Sequence, residues 1–228
     1  MNWSKRAADI DSFKVMDLLA RANELSSEGR DIVAMGAGEP DFATPDLIAK
    51  AGIAAIEQGL TKYTPATGIA PLKLKISQYY QQRYGVCIDP SRVIVTNGAS
   101  AALLMVFALL TDAGQEFLMS DPGYPCNKQF LRLIEAKSKL INVNKSTNFQ
   151  LTPQLISEHW ASNSAGVLVA SPSNPTGTML SKSQLQALSA CLKEHGGSLV
   201  VDELYHGLTY EEDAHSILEF DDNAFVIN

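Results

Sequence analysis

The sequence predicts an α/β fold on a mostly parallel β-sheet covered by helices on both sides, and three observations lead there. Four short runs, Arg92–Thr96, Gly166–Ala170, Ser198–Val201 and Ala224–Ile227, have the β-branched composition and length of buried strands. The stretches between them carry helical spacing. Leu185, Leu188, Cys191 and Leu192 fall on one face, as do Ile69, Leu72, Ile76, Tyr79 and Tyr80, so each segment offers one side for burial. The helix starts are also marked: Thr44-Pro45 and Thr152-Pro153 place a capping hydroxyl before a proline at the first helical position, and Ser181-x-x-Gln184 is a capping box. Strands alternating with helices require crossover connections, which are right-handed and give a parallel sheet. Ligands of such sheets sit at the carboxyl ends of the strands.

Composition narrows the function classes. With 46% hydrophobic and 19% charged residues over 228 positions, the chain can build a sizeable core and is far from a disordered composition. The net charge is −7 and no basic run exceeds the Lys5-Arg6 pair, which argues against a nucleic-acid partner. Charges at Lys5, Arg6 and Asp9 interrupt the amino end where a secretory signal needs an apolar stretch, so a cytoplasmic location is expected. The apolar run Ala101–Leu110 has the length of a core helix, and no membrane partner is expected. Cys87, Cys126 and Cys191 are odd in number and widely spaced, supporting neither a disulfide framework nor a zinc site. His159, His195, His206 and His215 form no H-E-x-x-H pattern and read as surface or satisfied core residues, so no metal is expected. Residues 1–40 lack strand–helix alternation and read as an amino-terminal arm or small-domain segment containing a helix over Phe13–Leu25. Residues 41–228 read as the large domain.

Several motifs fall where chemistry is expected. Thr96-Asn97-Gly98-Ala99-Ser100 leads from a strand into the apolar helix, and amides at a helix start, with the positive dipole end, suit a phosphate. Small residues also occur at such turns for steric reasons alone. Asp202-Glu203 ends an apolar strand. An acid there would pair with a cation, either Mg²⁺ or the protonated nitrogen of a pyridine ring, or would simply cap the next turn. The Mg²⁺ reading needs a G-x-x-x-x-G-K-[ST] loop, and none of the fifteen glycines is followed by lysine. Ser171-Pro172-Ser173-Asn174-Pro175-Thr176-Gly177 reads as a stiff loop able to aim the Asn174 amide, or as a plain turn. Tyr124, in Asp121-Pro122-Gly123-Tyr124-Pro125, could stack on a flat ligand. Gly36-Ala37-Gly38-Glu39-Pro40-Asp41 lacks the third glycine of a dinucleotide fingerprint and runs into Pro40, which rejects that site.

Taken in order, Gly38-Glu39-Pro40-Asp41-Phe42-x-Thr44-Pro45, Lys62-Tyr63-Thr64-Pro65-x-x-Gly68, Thr96–Ser100, Pro122–Pro125, Ser173–Gly177 and Asp202-Glu203-Leu204-Tyr205 resemble the class I/II aminotransferases, enzymes of pyridoxal 5′-phosphate. The resemblance runs from about Phe13 to Asn228. It implies the three-layer α/β/α fold type I of these enzymes, truncated before the carboxyl-terminal small domain, with residues 41–228 as an incomplete cofactor domain. It further implies that Gly98, Ala99 and Ser100 hold the cofactor phosphate, that Tyr124 stacks on the ring, and that Asp202 pairs with the ring nitrogen. Asn174 and Tyr205 would bond the phenolic oxygen. Asn174 and the backbone of Gly38 would meet the substrate, and Tyr63 would reach the phosphate of a neighbouring subunit in a homodimer. The partners implied are an L-amino acid and a 2-oxo acid.

One departure stands out. In the family a Ser-x-Ser-Lys segment follows a strand like Ala224–Ile227 and supplies the Schiff-base lysine, which here would lie beyond Asn228. No catalytic residue is therefore assigned, and the resemblance implies the amino-terminal part of an aminotransferase, inactive by itself. A C–S lyase or another enzyme of the same fold, and a non-catalytic binding module for the same cofactor, remain as alternatives.

Overall fold

The computed structural model describes residues 2–39 and 42–228. Its elements follow in the order α1 (Lys5–Ala8), α2 (Lys14–Ser27), α3 (Asp46–Glu57), α4 (Ala70–Tyr84), α5 (Gly98–Leu110), β1 (Glu116–Asp121), α6 (Asn127–Leu133), β2 (Lys137–Asn142), α7 (Pro153–His159), β3 (Ser164–Ala170), α8 (Lys182–His195), β4 (Ser198–Asp202) and β5 (Phe225–Ile227). Pro40 and Asp41, part of the first motif, lie outside the described residues. The chain divides into two units: Asp11–Ile69, and the residues up to Ile10 together with Ala70–Asn228. Among the described residues no helix is long and apolar enough to cross a membrane.

The Asp11–Ile69 unit holds α2, which realises the helix expected over Phe13–Leu25, and α3. The Thr44 cap is not formed. Pro45 itself takes the cap position with an extended ψ of 138°, so α3 starts one residue later than the motif suggests, without a side-chain cap. The other two start signals hold. Thr152 accepts from the Leu155 amide at 3.2 Å, and Ser181 and Gln184 close a reciprocal box, with the Ser181 amide donating to Gln184 at 2.8 Å.

The larger unit is built on five parallel strands in the order β2-β1-β3-β4-β5. Side chains alternate between its faces with the strand period of two. Leu118, Val167, Val169, Leu199 and Val201 pack under α7 and α8 against Ile156, Leu185, Leu188 and Leu192. Phe117, Met119, Leu168, Val200 and Ile227 pack on the opposite face against Leu103 and Phe107 of α5 and Leu131 of α6. This unit is therefore three layers, α/β/α.

Two further expectations need correction. Arg92–Thr96 is not a strand: Pro90–Arg92 forms a 3₁₀ turn, and Val93–Thr96 runs on without a ladder partner among the described residues. β-branched residues make a segment fit for a sheet, but only pairing makes it a strand. In the α4 face, only Tyr80 is buried, while Leu72 and Tyr79 stay more than 40% exposed. Helical spacing guarantees a shared face and says nothing of what covers it. Conversely, β1 and β2 contain almost no β-branched residues. β1 is sandwiched between neighbours and buries Phe117, Leu118 and Met119, whereas β2 is an edge strand that carries Lys137 and Lys139.

The sheet is tight where β1 meets β3. The register shifts between Glu116 and Phe117, and a β-carbon at Gly166 would lie 2.5 Å from the Phe117 ring and 2.5 Å from the Ser198 carbonyl oxygen. Gly166→Ala is expected to destabilise the fold by about 1–3 kcal/mol through overpacking, read as a lowered urea midpoint. An unchanged midpoint would contradict this packing.

Candidate functional site

The strand order reverses at β1, with β2 on one side and β3 on the other, and open α/β sheets place ligands beyond the strand ends near such a point. Here a cleft of about 700 Å³, including its open mouth, lies against Ala99, Ser100, Leu103, Tyr124, Ala170, Asn174, Asp202, Leu204 and Tyr205. Six residues predicted from sequence, Ala99, Ser100, Tyr124, Asn174, Asp202 and Tyr205, thus share one wall. Gly98 opens the helix beside them. A neighbouring cleft shares Tyr124, Ala170 and Asn174 and extends over the end of β1 to Asn127 and Lys128. Gly38 and Tyr63 belong to the Asp11–Ile69 unit, where both are exposed.

Each wall element has a local cause. α5 begins at Gly98 with a φ of 76°, a left-handed conformation that favours glycine. Asn97, in the cap position, makes no side-chain cap hydrogen bond; the Gly98 amide donates to the Thr96 carbonyl at 2.9 Å, so the donors turned to the cleft are the amides of Ala99 and Ser100. The positive end of a thirteen-residue helix thus opens on the cleft.

The Asn174 loop is pinned at both ends by one buried side chain. Gln150 Nε2 donates to the Ala170 carbonyl at 3.1 Å, to the Thr178 carbonyl at 3.1 Å and to the Thr178 hydroxyl at 3.2 Å. Within the loop, the Ser173 amide donates to the Thr178 carbonyl at 2.9 Å and the Gly177 amide to the Ser173 carbonyl at 2.7 Å. Asn174 Nδ2 in turn donates to the Tyr205 hydroxyl oxygen at 3.5 Å, which leaves the phenolic proton to be given to a ligand. Gln150→Leu removes a buried donor from two carbonyls and is expected to cost about 1–3 kcal/mol. Faster hydrogen exchange at the Ser173 and Gly177 amides would accompany that loss, and unaltered exchange would show that the clamp is idle.

Asp202 closes β4, and its Oδ1 accepts from the Leu204 amide at 3.2 Å. Burial lifts its carboxyl above the usual carboxylate range, and that single amide only partly opposes the lift. Such an acid is stabilised by a cation placed against it. Tyr124 is half-buried at the turn after β1, and burial, followed by its Cys126 contact, pushes its phenol up to about 12, so it stays protonated.

Glu203 and His206, three residues apart in the same segment, point the other way. Glu203 is fully buried, its Oε1 accepting from Ser216 Oγ at 3.1 Å and from the Ile217 amide at 2.9 Å. Its Oε2 has no hydrogen-bond partner and lies 3.6 Å from His206 Nδ1. Burial pushes the Glu203 carboxyl up to about 8 and pulls the His206 imidazole down to about 4. The Ser171 backbone is near enough to oppose the imidazole shift without forming a full hydrogen bond. Both groups are therefore neutral at pH 7. The Tyr84 hydroxyl stands 2.8 Å from His206 Nδ1 and, with the imidazole neutral, is assigned as the donor.

Sequence reasoning missed Leu103, Ala170 and Leu204 in the cleft wall. Leu103 follows Ala99 by one helical turn and was legible from that spacing. Ala170 ends β3 and gives no signal beyond its position.

Comparison with known proteins bears on the whole arrangement. The family model described as aminotransferase class I and II matches residues 30–227. The chain is 36% identical over 96% of its length to the (5-formylfuran-3-yl)methyl phosphate transaminase of Methanocaldococcus jannaschii, covering 56% of that protein. It is 32% identical over 97% of its length to an aspartate aminotransferase of Bacillus subtilis, covering 57% of it. The crystal structure of an aminotransferase from Mycobacterium tuberculosis superposes with a TM-score of 0.93 at 32% identity, over 99% of this chain and 58% of that one. The chain thus spans little more than half the length of the relatives it matches. Its parallel sheet, the order of its motifs and these likenesses agree, and the chain belongs to the class I and II aminotransferase family.

Proposed function

We propose that this chain forms the cofactor-binding part of an enzyme that moves an amino group from an L-amino acid to a 2-oxo acid, with pyridoxal 5′-phosphate as cofactor. One observation carries the reading: a single cleft brings the open start of α5 together with a desolvated acid, Asp202. The first suits a phosphate and the second a ring cation, so the residues present fit the group.

When bound, pyridoxal phosphate supplies an electron sink for the electrons released at the substrate's α-carbon. The chain's own residues prepare that sink. The Asp202 carboxylate would hold a proton on the ring nitrogen by Coulomb attraction. The amides at Ala99 and Ser100, with the Ser100 hydroxyl, would hold the phosphate. Tyr124 would cover one ring face, and the Asn174 amide and the Tyr205 hydroxyl would converge on the phenolic oxygen. Gly38 would approach the substrate through its backbone, and Tyr63 would serve the phosphate of the neighbouring subunit in a homodimer. Relatives of this chain are named for aspartate and for valine and pyruvate, so the donor is chosen by experiment.

The test is a screen of the complete protein, loaded with pyridoxal phosphate, against a panel of L-amino acids. Stoichiometric conversion of the cofactor to pyridoxamine phosphate, with one 2-oxo acid released per site, is expected for at least one donor. Release of ammonia or thiol without that conversion would overturn transamination in favour of elimination.

A further inference from the structure

The segment that carries two candidate cofactor contacts is two-sided. Asp202 and Tyr205 line the cleft, while Glu203 and His206, each the next residue, are buried beneath them. The lower side is anchored at four points. The Glu203 amide donates to the Ile227 carbonyl at 2.7 Å, the Glu203 carboxyl accepts from Ser216 and from the Ile217 amide, the His206 amide donates to the Glu203 carbonyl at 3.0 Å, and the His206 ring meets Tyr84. A carboxylate with zero exposure and one oxygen without a donor could not stay ionised there, since nothing replaces the water it has lost.

We propose that Glu203 and His206 are positioning residues, a dry uncharged pair that holds the underside of the Asp202–Tyr205 turn so that the half-buried Asp202 is its single anion and meets the cofactor ring preformed. The proposal rests on the cofactor reading above. It explains why two acids can stand next to each other at the end of β4: only one of them faces a place for a cation. The pair is surrounded by groups that favour its neutral state. Asp202 and Glu219 both disfavour an ionised Glu203. Arg83 of α4 and His215 both disfavour a protonated His206. Tyr80 and Tyr84 face Glu203 from α4, and their phenols are raised well above the usual range, chiefly by burial and in part by that acid. Tyr80 is held by Asn228, whose side-chain amide donates to it at 3.0 Å.

The consequence is a pH profile for ligand binding. With Glu203 protonated up to about pH 8, the competent form falls to roughly a tenth of the population one unit higher, and apparent affinity falls about tenfold. The probe is pyridoxamine 5′-phosphate, which keeps the ring nitrogen, phenol and phosphate but has no aldehyde to react with surface lysines. Its binding to the full chain is titrated by fluorescence quenching at about pH 7 and about pH 9 for the wild type, Glu203→Gln and Asp202→Asn. Any titration of the ligand itself is common to all three. The amide in Glu203→Gln still accepts from Ser216 and Ile217 and cannot ionise, so near-wild-type affinity at pH 7 and a drop about tenfold smaller at pH 9 are expected. Identical pH profiles for the wild type and Glu203→Gln, with Asp202→Asn weakened, overturn the positioning role and leave the cofactor reading standing. Wild-type affinity in Asp202→Asn overturns the cofactor reading and the positioning role with it. An infrared difference spectrum of the wild type supplies a second measurement that needs no variant. A protonated-carboxyl band lost between about pH 7 and pH 9 supports the proposal, and its absence overturns it.

Discussion

Asp202→Asn is expected to weaken pyridoxamine phosphate binding at neutral pH by roughly 10- to 100-fold, the equivalent of one charge-assisted hydrogen bond worth about 1.5–3 kcal/mol. The substitution keeps the shape of the side chain and leaves a carbonyl oxygen to accept from the Leu204 amide, so the turn after β4 retains its geometry. What it removes is the negative charge. In the absence of ligand that charge is a burden, because burial already raises the carboxyl above its ordinary value and only one amide opposes the rise. The same variant should therefore be at least as stable as the wild type without ligand. A loss of stability in the ligand-free chain, or undiminished ligand affinity, would show that the acid serves the fold and not the ligand. The combination of weaker binding with an undamaged fold is the signature of a residue whose cost is met elsewhere in the molecule.

The second large effect is on stability as a function of pH, and it comes from Glu203 and His206 acting in opposite directions. Glu203 has an unfolded value of 4.5 and a folded value of about 8. Between the two the folded chain holds a proton that the unfolded chain has lost, so stability falls as pH rises, by up to ~1.4 kcal/mol per unit. His206 has an unfolded value of 6.5 and a folded value of about 4. In that window the unfolded chain holds the extra proton, so stability rises with pH by a similar slope. From about pH 4.5 to 6.5 the two slopes offset one another, and from about 6.5 to 8 only the descent due to Glu203 remains. Unfolding free energies from urea titrations should show a plateau followed by a fall. Glu203→Gln should remove the fall and expose the rise due to His206, and the difference between the two curves cancels every other titrating group. Parallel curves for wild type and variant would refute the assignment.

Much of this architecture is legible in the sequence because it rests on local signals. The Thr152 and Ser181 caps, the short β-branched runs of β3 and β4, and the start of α5 at Gly98 are each written within a few residues. The cleft was legible for a different reason: its residues end strands or open a helix, and in a parallel sheet those positions converge. What could not be read depends on partners. Val93–Thr96 has a strand's composition but no ladder partner among the described residues, and β1, with only Phe117, Leu118 and Met119 to mark it, owes its existence to the strands on either side. The buried acid Glu203 looks in sequence like a second member of an acidic pair. Only the fold shows that it faces away from Asp202's cleft. Likewise His206 reads as an ordinary core histidine until Tyr84, distant in sequence, is placed beside it.

The all-parallel strand order has a further consequence for how the molecule comes together. No two neighbouring strands are joined by a hairpin, so each rung of the ladder must wait for an encounter between distant segments. Ser100, Tyr124, Asn174 and Asp202 gather only after β1, β3 and β4 have docked side by side. A small molecule held there binds the finished sheet and no earlier stage. By mass action it then adds its occupancy to global unfolding, about 2.7 kcal/mol at a hundred times its Kd, which makes thermal upshift a direct gauge of sheet completion.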